Sequence, residues 1–388
     1  MKILFLTTVL PSHKLHGSEI ASQNVIDALN QVGCQVTVVG YGRKEDGDLP
    51  RSAQEVLVGD RLVETKRAGW WVVLWMAASF LKKMPYSAAK YWSRQYIDHL
   101  RALLQNETYD AVVIDHAQLG WLYPLVQPHK VIFSAHNVEH ELYAQNAARS
   151  QSSLHRWIYA REARLVQQME NQLACVADEV WALTEHDADY FAEVQRRQGQ
   201  RHPSVKVLSL PSGFAAPQST AQAKQFDIGI IGSWPWKPNE EGLLWFLERV
   251  YPYLPSNLCI HIAGRGADWL VDKYPNIHYR GFVPSAQEFM AQARVVAIPM
   301  LSGGGIQIKT LDAIAAGSAI VATPVALRGI AHPPATVRLA ETPEAFAQLL
   351  IDTVDSTLTT NALQEAQRWF THRQQQFIHD IAYSLSAL

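Results

Sequence analysis

The sequence predicts an α/β protein of two Rossmann-like, doubly wound domains facing a cleft. Three observations lead there. Its 388 residues exceed the size at which a single hydrophobic core usually stops growing. Apolar strand-like runs alternate with segments of helical period through the first half. After a stretch rich in Pro, Ala, Ser and Gln, the same alternation restarts. The expected organisation is a first domain over 1–210, a linker over 211–225, a second domain over 226–370, and a C-terminal helix over 371–388 that packs back on the first domain.

The opening run KILFLTTVL reads as a strand, Ser18 to Val32 as a helix with Gly33 as its stop, and CQVTVVG as the next strand. Further strands are expected at Ala111 to Ala117, Val131 to Asn137, Asp178 to Thr184 and Lys206 to Ser209, with a long helix from about His155 to Val176. In the second half, FDIGIIGS, LCIHIAG, NIHYRGFV, VVAIPM and SAIVAT read as strands. PNEEGLLWFLERVYPYL and KTLDAIAAG read as helices, as do the two apolar-periodic segments after residue 341. In such parallel sheets ligands bind beyond the carboxyl ends of the strands, so each loop that follows a strand is a candidate site.

Composition narrows the function. Hydrophobic residues at 48% and charged residues at 18% describe an ordinary globular chain. With 34 basic and 36 acidic residues there is no basic footprint for nucleic acid. Cys34, Cys175 and Cys259 are odd in number and widely spaced, which suggests neither a disulfide framework nor a thiolate metal site and fits a reducing cytoplasm. The apolar run at the N-terminus is too short for a signal peptide. AGWWVVLWMAASFL, Ala68 to Leu81, is too short to span a bilayer and is flanked by Lys66, Arg67, Lys82 and Lys83. It reads as a helix packed inside the first domain, with a position at the inner membrane face as the alternative.

Five constellations carry chemistry. In PMLSGGGIQIKTLDAIAAG a buried-type strand runs into Gly303, Gly304 and Gly305, then through Ile306 and Gln307 into a helix bearing Lys309 and Asp312. Glycines let a diphosphate approach the backbone, the helix start offers N–H groups, and Lys309 adds a charge. Asp312, one turn on, can accept hydrogen bonds from a ribose diol. The bland alternative is a capped core helix with a solvated Lys309–Asp312 pair. IIGSWPWKPNEEGLLWFL places Ser233 and Lys237 between a strand and a helix, where a lysine suits phosphate; otherwise Lys237 is a surface residue before a helix capped by Asn239. HGSEIASQN offers Gly17 and Ser18 between the first strand and first helix, and it is not a dinucleotide GxGxxG. SAHNVEHEL puts His136 at a strand end with His140 one turn later, a spacing that is not HExxH, so a metal is not expected. IAGRGAD places Arg265 after a strand. The DAD at Asp187 to Asp189 follows TEH and reads as helix N-capping, not as a metal motif.

The segment 299–317 resembles the signature of retaining GT-B glycosyltransferases of the group 1, family 4-like type, in which a Glu, seven residues and a second Glu precede a helix and an AxxxG motif. Asp312 stands at the second acid, the ribose position. Gly304 stands where the first acid would be, a departure that leaves the donor-sugar contact open, with backbone N–H groups of the glycine stretch in its place. The resemblance implies Lys237 and Lys309 on the donor diphosphate, His136 near the donor sugar, Gly17 and Ser18 near the phosphate and acceptor, and Arg265 by the base pocket.

The resemblance further implies a hexosyl transfer from a nucleotide sugar to an acceptor hydroxyl with retention, needing no metal and no cofactor beyond the nucleotide-sugar co-substrate. UDP is favoured and GDP is next. The acceptor is a saccharide, a lipid-linked species or a protein. Two rivals stay open: a GT-B sugar-nucleotide epimerase, and a non-catalytic sugar-nucleotide-binding partner protein suggested by Gly304. A nicotinamide dehydrogenase lacks both its glycine fingerprint and its ribose acid here.

Overall fold

The computed structural model describes residues 1–11, 17–43, 52–62, 69–202, 204–213, 223–356 and 358–388. Lys66, Arg67, most of the expected linker (214–222) and part of the loop before Gly17 (12–16) lie outside them. The chain forms two compact units, Met1–Leu210 with Gln376–Leu388, and Pro211–Gln375.

Unit 1 runs β1 (Lys2–Val9), α1 (Gly17–Gln31), β2 (Gln35–Arg43), β3 (Glu55–Arg61), α2 (Trp71–Leu81), α3 (Tyr86–Ala89), α4 (Arg94–Asn106), β4 (Ala111–Asp115), α5 (Tyr123–Val126), β5 (Lys130–Ala135), α6 (Glu139–Arg149), α7 (Ser153–Val176), β6 (Glu179–Ala182), α8 (Glu185–Arg197) and β7 (Val205–Val207). Its strands pair in parallel in the order β3-β2-β1-β4-β5-β6-β7. Such a sheet needs cover on both faces, which is why β1 is buried from Ile3 to Val9 and reads as an unbroken apolar run rather than an alternating one. Leu4, Leu6, Val39, Val112, Ile114 and Phe133 pack its core.

Unit 2 runs β8 (Phe226–Ile231), α9 (Lys237–Trp245), β9 (Ile260–Ala263), β10 (Ile277–Gly281), α10 (Ala286–Gln292), β11 (Ala293–Ile298), α11 (Ile308–Ala315), β12 (Ala319–Ala322), β13 (Val337–Leu339), α12 (Pro343–Val354) and α13 (Thr360–Ala387), whose last turns belong to unit 1. Its sheet is parallel in the order β10-β9-β8-β11-β12-β13. Neighbouring residues of β11 feed opposite cores: Val295 joins Ile228, Ile260 and Phe346, while Val296 joins Leu311, Ile314 and Ile320.

Both sheets reverse direction once, between β1 and β4 and between β8 and β11. At such a switch point the flanking loops diverge and leave a crevice. Gly17, Ser18 and residues 116–118 follow the first pair of strands, while Ser233, Lys237 and Gly303–Gly305 follow the second.

Some expectations change. β3, β13 and the short helices α3 and α5 were not legible. The helix expected from Asn239 begins at Lys237 and breaks into a π-turn at Phe246–Val250. The Trp-rich segment is helical but not interior: of its eleven residues only Trp75 and Ser79 are buried. The reason is local: the helix is apolar on every side, and the core beneath it takes only one stripe, where Trp75 meets Tyr86 edge-on at 6.2 Å and the Ser79 hydroxyl donates to the Met84 carbonyl at 2.7 Å. Among the described residues no helix is long and apolar enough to cross a membrane.

The first helix is tied to the sheet by a buried ion pair: Arg43, at the end of β2, donates through Nε to Glu19 at 3.1 Å. Arg43→Leu leaves that carboxylate buried without its cation, so a loss of about 3–5 kcal/mol in urea unfolding is expected. A loss below about 1 kcal/mol would put the pair in the class of exposed salt bridges.

Candidate functional site

In unit 2, α9 presses against the end of β11 through Gly242, where a Cβ would lie 2.1 Å from the Pro299 carbonyl oxygen. That close approach brings two helix starts together. The Lys309 ammonium, on the first turn of α11, donates to the Asn239 side-chain oxygen and reaches Met300 Sδ at 3.2 Å. Asn239 in turn donates to the Ser233 carbonyl at 3.0 Å, which fixes the loop after β8. Asn239 is therefore not the helix cap; that position is Trp236, and Asn239 serves as the strut between the two loops.

A small pocket lies here, lined by Trp234, Asn239, Pro299, Met300 and Lys309. The Trp234 Nε1–H is buried and has no hydrogen-bond partner among the described residues, a group that a ligand acceptor would satisfy. Gly303 and Gly305 have φ of 131° and 63°, conformations that side chains resist, and a Cβ on Gly303 would sit 3.5 Å from the Trp236 ring. Arg328, after β12 and part of no local motif, donates to the Gly303 carbonyl at 2.6 Å and anchors the loop. Gln307 is buried at the cap position of α11.

The solvated Lys309–Asp312 pair is not what forms. Burial pushes the Lys309 ammonium down to about 7. Burial likewise pushes the Asp312 carboxyl up to about 7, against hydrogen bonds from the Ser212 hydroxyl, at 2.6 Å, and the Gly213 N–H. Each therefore titrates near neutrality with its own partner. Lys237 stands exposed on the first turn of α9, 3.8 Å from Glu241, which also accepts from Ser302 Oγ at 2.9 Å. The exposed Arg265 lays its guanidinium over Phe282 at 4.4 Å.

In unit 1 a pocket of about 50 Å³ opens beyond β1, lined by Thr7, Ser18, Glu19, Arg43, Tyr91 and His116. His136, just after β5, places Nε2 2.8 Å from Asp115 Oδ1. Asp115 also accepts from Ser22 Oγ at 2.7 Å and Thr7 Oγ1 at 2.9 Å. Burial raises the Asp115 carboxyl, but His116, His136 and these hydrogen bonds outweigh it and hold the group below the usual carboxylate range. An ionised carboxylate only accepts, so His136 Nε2 is the donor of this bond. Sequence reading found His136 but missed Asp115, which sits on a neighbouring strand and meets it only through sheet register.

His116 adopts φ +76°, a backbone conformation strained for any non-glycine residue, and packs 4.0 Å from His136. Burial, with the positive charge of His136 second, pushes its imidazole down to about 4 against the pull of Asp115. Behind it lies Glu139, pushed up to about 8 by burial and by Glu170, Glu162 and Asp115. His136 and His140 do not converge: His140 bonds Glu170. The DAD segment is a cap, Asp187 N–H donating to Thr184 Oγ1 at 3.1 Å.

Among the described residues two groups bring metal-type ligand atoms within 4.8 Å of one another: Asp115, His116 and His136, and Cys259, His261 and His278. Hydrogen bonding accounts for the first. In the second the His261 ring stacks on Phe226 at 4.2 Å, and burial, then Arg280, holds it at about 4. A guanidinium so close opposes a second cation.

Residues 225–356 match the family model "Glycosyl transferases group 1". No functionally curated protein matches the chain. Among solved structures it resembles sucrose-phosphate synthase from Thermosynechococcus elongatus, at 14% identity and a TM-score of 0.66, over 100% of this chain and 98% of that one. It also resembles HepE of Anabaena in complex with UDP-glucose (14%, 0.61, 100% of both chains). A third is WaaG, a glycosyltransferase involved in lipopolysaccharide biosynthesis (14%, 0.60, 99% and 98%).

The neutral state of His116 makes stability depend on pH. Its folded pKa lies below the ordinary value, so the unfolded chain binds the extra proton, and stability falls as pH drops from about 6.5 toward about 4. His116→Gly, which also suits the positive φ, is expected to flatten that fall in melting temperature relative to the parent. An unchanged slope assigns the acid sensitivity to other groups. Residues 225–356, which carry the switch-point loops and helix starts of unit 2, thus match the glycosyl transferases group 1 model, within a chain that has the α/β fold of GT-B glycosyltransferases.

Proposed function

We propose that this protein is a retaining hexosyltransferase that moves a sugar from a UDP-sugar to an acceptor hydroxyl. The observation that carries it is the half-buried Lys309 beside the start of α9, at the mouth of a glycine loop. This is a site where desolvation strengthens every contact to a diphosphate. The complex of HepE with UDP-glucose supports the choice of donor.

In this reading the bond from the anomeric carbon to the diphosphate oxygen breaks as the acceptor oxygen bonds to the same face. The acceptor proton passes to the leaving diphosphate. Lys309, Lys237 and the N–H groups at the starts of α9 and α11 stabilise the charge that develops there. Asp312 takes the ribose diol in place of Ser212, Gly304 offers backbone N–H toward the sugar, and Ser233 and Arg265 flank the nucleotide. His136, oriented by Asp115, meets a hydroxyl of donor or acceptor. Gly17 and Ser18 border the acceptor side, whose substrate is a saccharide, a lipid-linked saccharide or a protein. No metal or further cofactor enters these steps.

Gly304 at the first acidic position favours a second reading, a sugar-nucleotide-binding protein without turnover. Calorimetry with UDP, and release of UDP from UDP-sugars in the presence of candidate acceptors, separates the two. Binding without UDP release supports the second reading, and absence of binding to UDP, GDP, ADP and dTDP overturns both.

The two titrations near 7 set the pH dependence of UDP binding. A diphosphate needs charged Lys309, so affinity falls as pH rises above about 7. A ribose diol needs ionised Asp312, so affinity falls as pH drops below about 7. The expected profile is a bell, with Lys309→Arg removing the alkaline limb and Asp312→Asn the acid limb. Lys309→Ala weakens binding about 10- to 100-fold, the loss of a charged hydrogen bond. A flat profile in the parent protein would sink these assignments.

A further inference from the structure

We propose that α2 and the first turns of α7 form a docking face for an anionic phospholipid bilayer. The inference goes beyond the transferase reading and does not rest on it. Exposure comes first. Trp70, Val73 and Leu81 are 64%, 68% and 85% exposed, and Leu154 and Trp157 across from them are 63% and 55% exposed. The two helices make one surface, because Phe80 stacks with Trp157 at 6.3 Å and Arg161 donates to Ser79 Oγ at 3.0 Å. A patch of this kind on an otherwise ordinary surface marks an interaction site.

Charge then selects the partner. The whole chain carries two more acidic than basic residues, yet 65–97 contains six basic residues and no acidic one, and 142–161 contains three arginines and no acidic one. Of these, Lys82, Lys83 and Arg156 are exposed at the margin of the apolar patch. Cations are held against rings there: Lys82 Nζ lies 3.7 Å from the Trp92 ring centroid and the Arg161 guanidinium 4.0 Å from that of Phe80. Tryptophans with an apolar body and a polar N–H, stacked at 4.7 Å in the Trp70–Trp71 pair, sit well at headgroup depth, and long basic side chains reach from there to phosphates. An eleven-residue helix is about 17 Å long, so it lies in the interface and does not span it. A bilayer with anionic lipid supplies both an apolar layer and a continuous negative surface, and the two segments 65–97 and 142–161 carry no carboxylate to oppose it.

The test is co-sedimentation of the full chain with vesicles of phosphatidylcholine alone and of phosphatidylcholine with phosphatidylglycerol. Binding to the anionic vesicles, weakened by salt, is expected. Trp71→Ser with Leu81→Ser, and separately Lys83→Glu with Arg156→Glu, each weaken it about 10- to 30-fold. These positions are exposed, so melting temperature and UDP binding stay as in the parent, which separates this outcome from any failure of the nucleotide site. Protein that stays in the supernatant with anionic vesicles overturns the proposal, as does equal binding of the variants. A dimer in sedimentation velocity that the Trp71→Ser, Leu81→Ser pair dissolves, without vesicle binding, also overturns it and assigns the face to a second copy of the chain.

Discussion

Everything at the candidate site depends on one constraint, the reversal of strand order in a parallel sheet. Crossovers in such sheets share one hand, so a helix that follows β8 and a helix that follows β11 leave the sheet on opposite sides. Between them the carboxyl ends of the strands are left uncovered by any crossover. The loops after β8 and β11 gather there because no other part of the unit offers them space. Gly242 then lets α9 close to contact distance with Pro299, and Asn239 can reach both Ser233 and Lys309. The same geometry in unit 1 places Asp115 and Ser18 at adjoining strand ends.

The second common thread is burial acting on charge. Lys309 and Asp312 are drawn toward neutrality by lost hydration, whereas Asp115, equally buried, keeps its charge because two imidazoles and two hydroxyls face it. Two buried aspartates, Asp115 at a strand end and Asp312 on a helix, thus acquire different protonation chemistry. What decides between them is the number of donors within reach. The Glu139 carboxyl, with Gln118 as its donor and three carboxylates nearby, stands at the opposite extreme from Asp115.

The order of strands and helices was legible because parallel sheets demand unbroken apolar runs, and the runs at Ile3–Val9, Ala111–Ile114 and Val295–Ile298 stand out against their surroundings. The glycine loop and Lys309 were legible for the same reason, as local words between a strand and a helix. What escaped was whatever the fold assembles from distant segments. Asp115 meets His136 across sheet register, Arg328 reaches Gly303 from the far side of β12, and Arg43 at the end of β2 finds Glu19 on α1. β3 and β13 escaped because edge strands carry short, half-exposed runs with little apolar contrast. The Trp-rich helix was legible as a helix and misplaced in depth, since hydrophobicity alone does not say whether a stripe meets a core.

The last helix has a consequence for the order of assembly. Its final turns, 376–388, belong to unit 1, where Trp181 Nε1 donates to Ser384 Oγ at 2.8 Å and Phe377 and Ile381 are buried. Unit 2 lies between the two parts of unit 1 in the chain, so on the ribosome the second unit emerges whole while the first still lacks a piece of its core. Vectorial synthesis therefore gives way to a reversed schedule, in which the earliest residues made are among the last to reach their final packing.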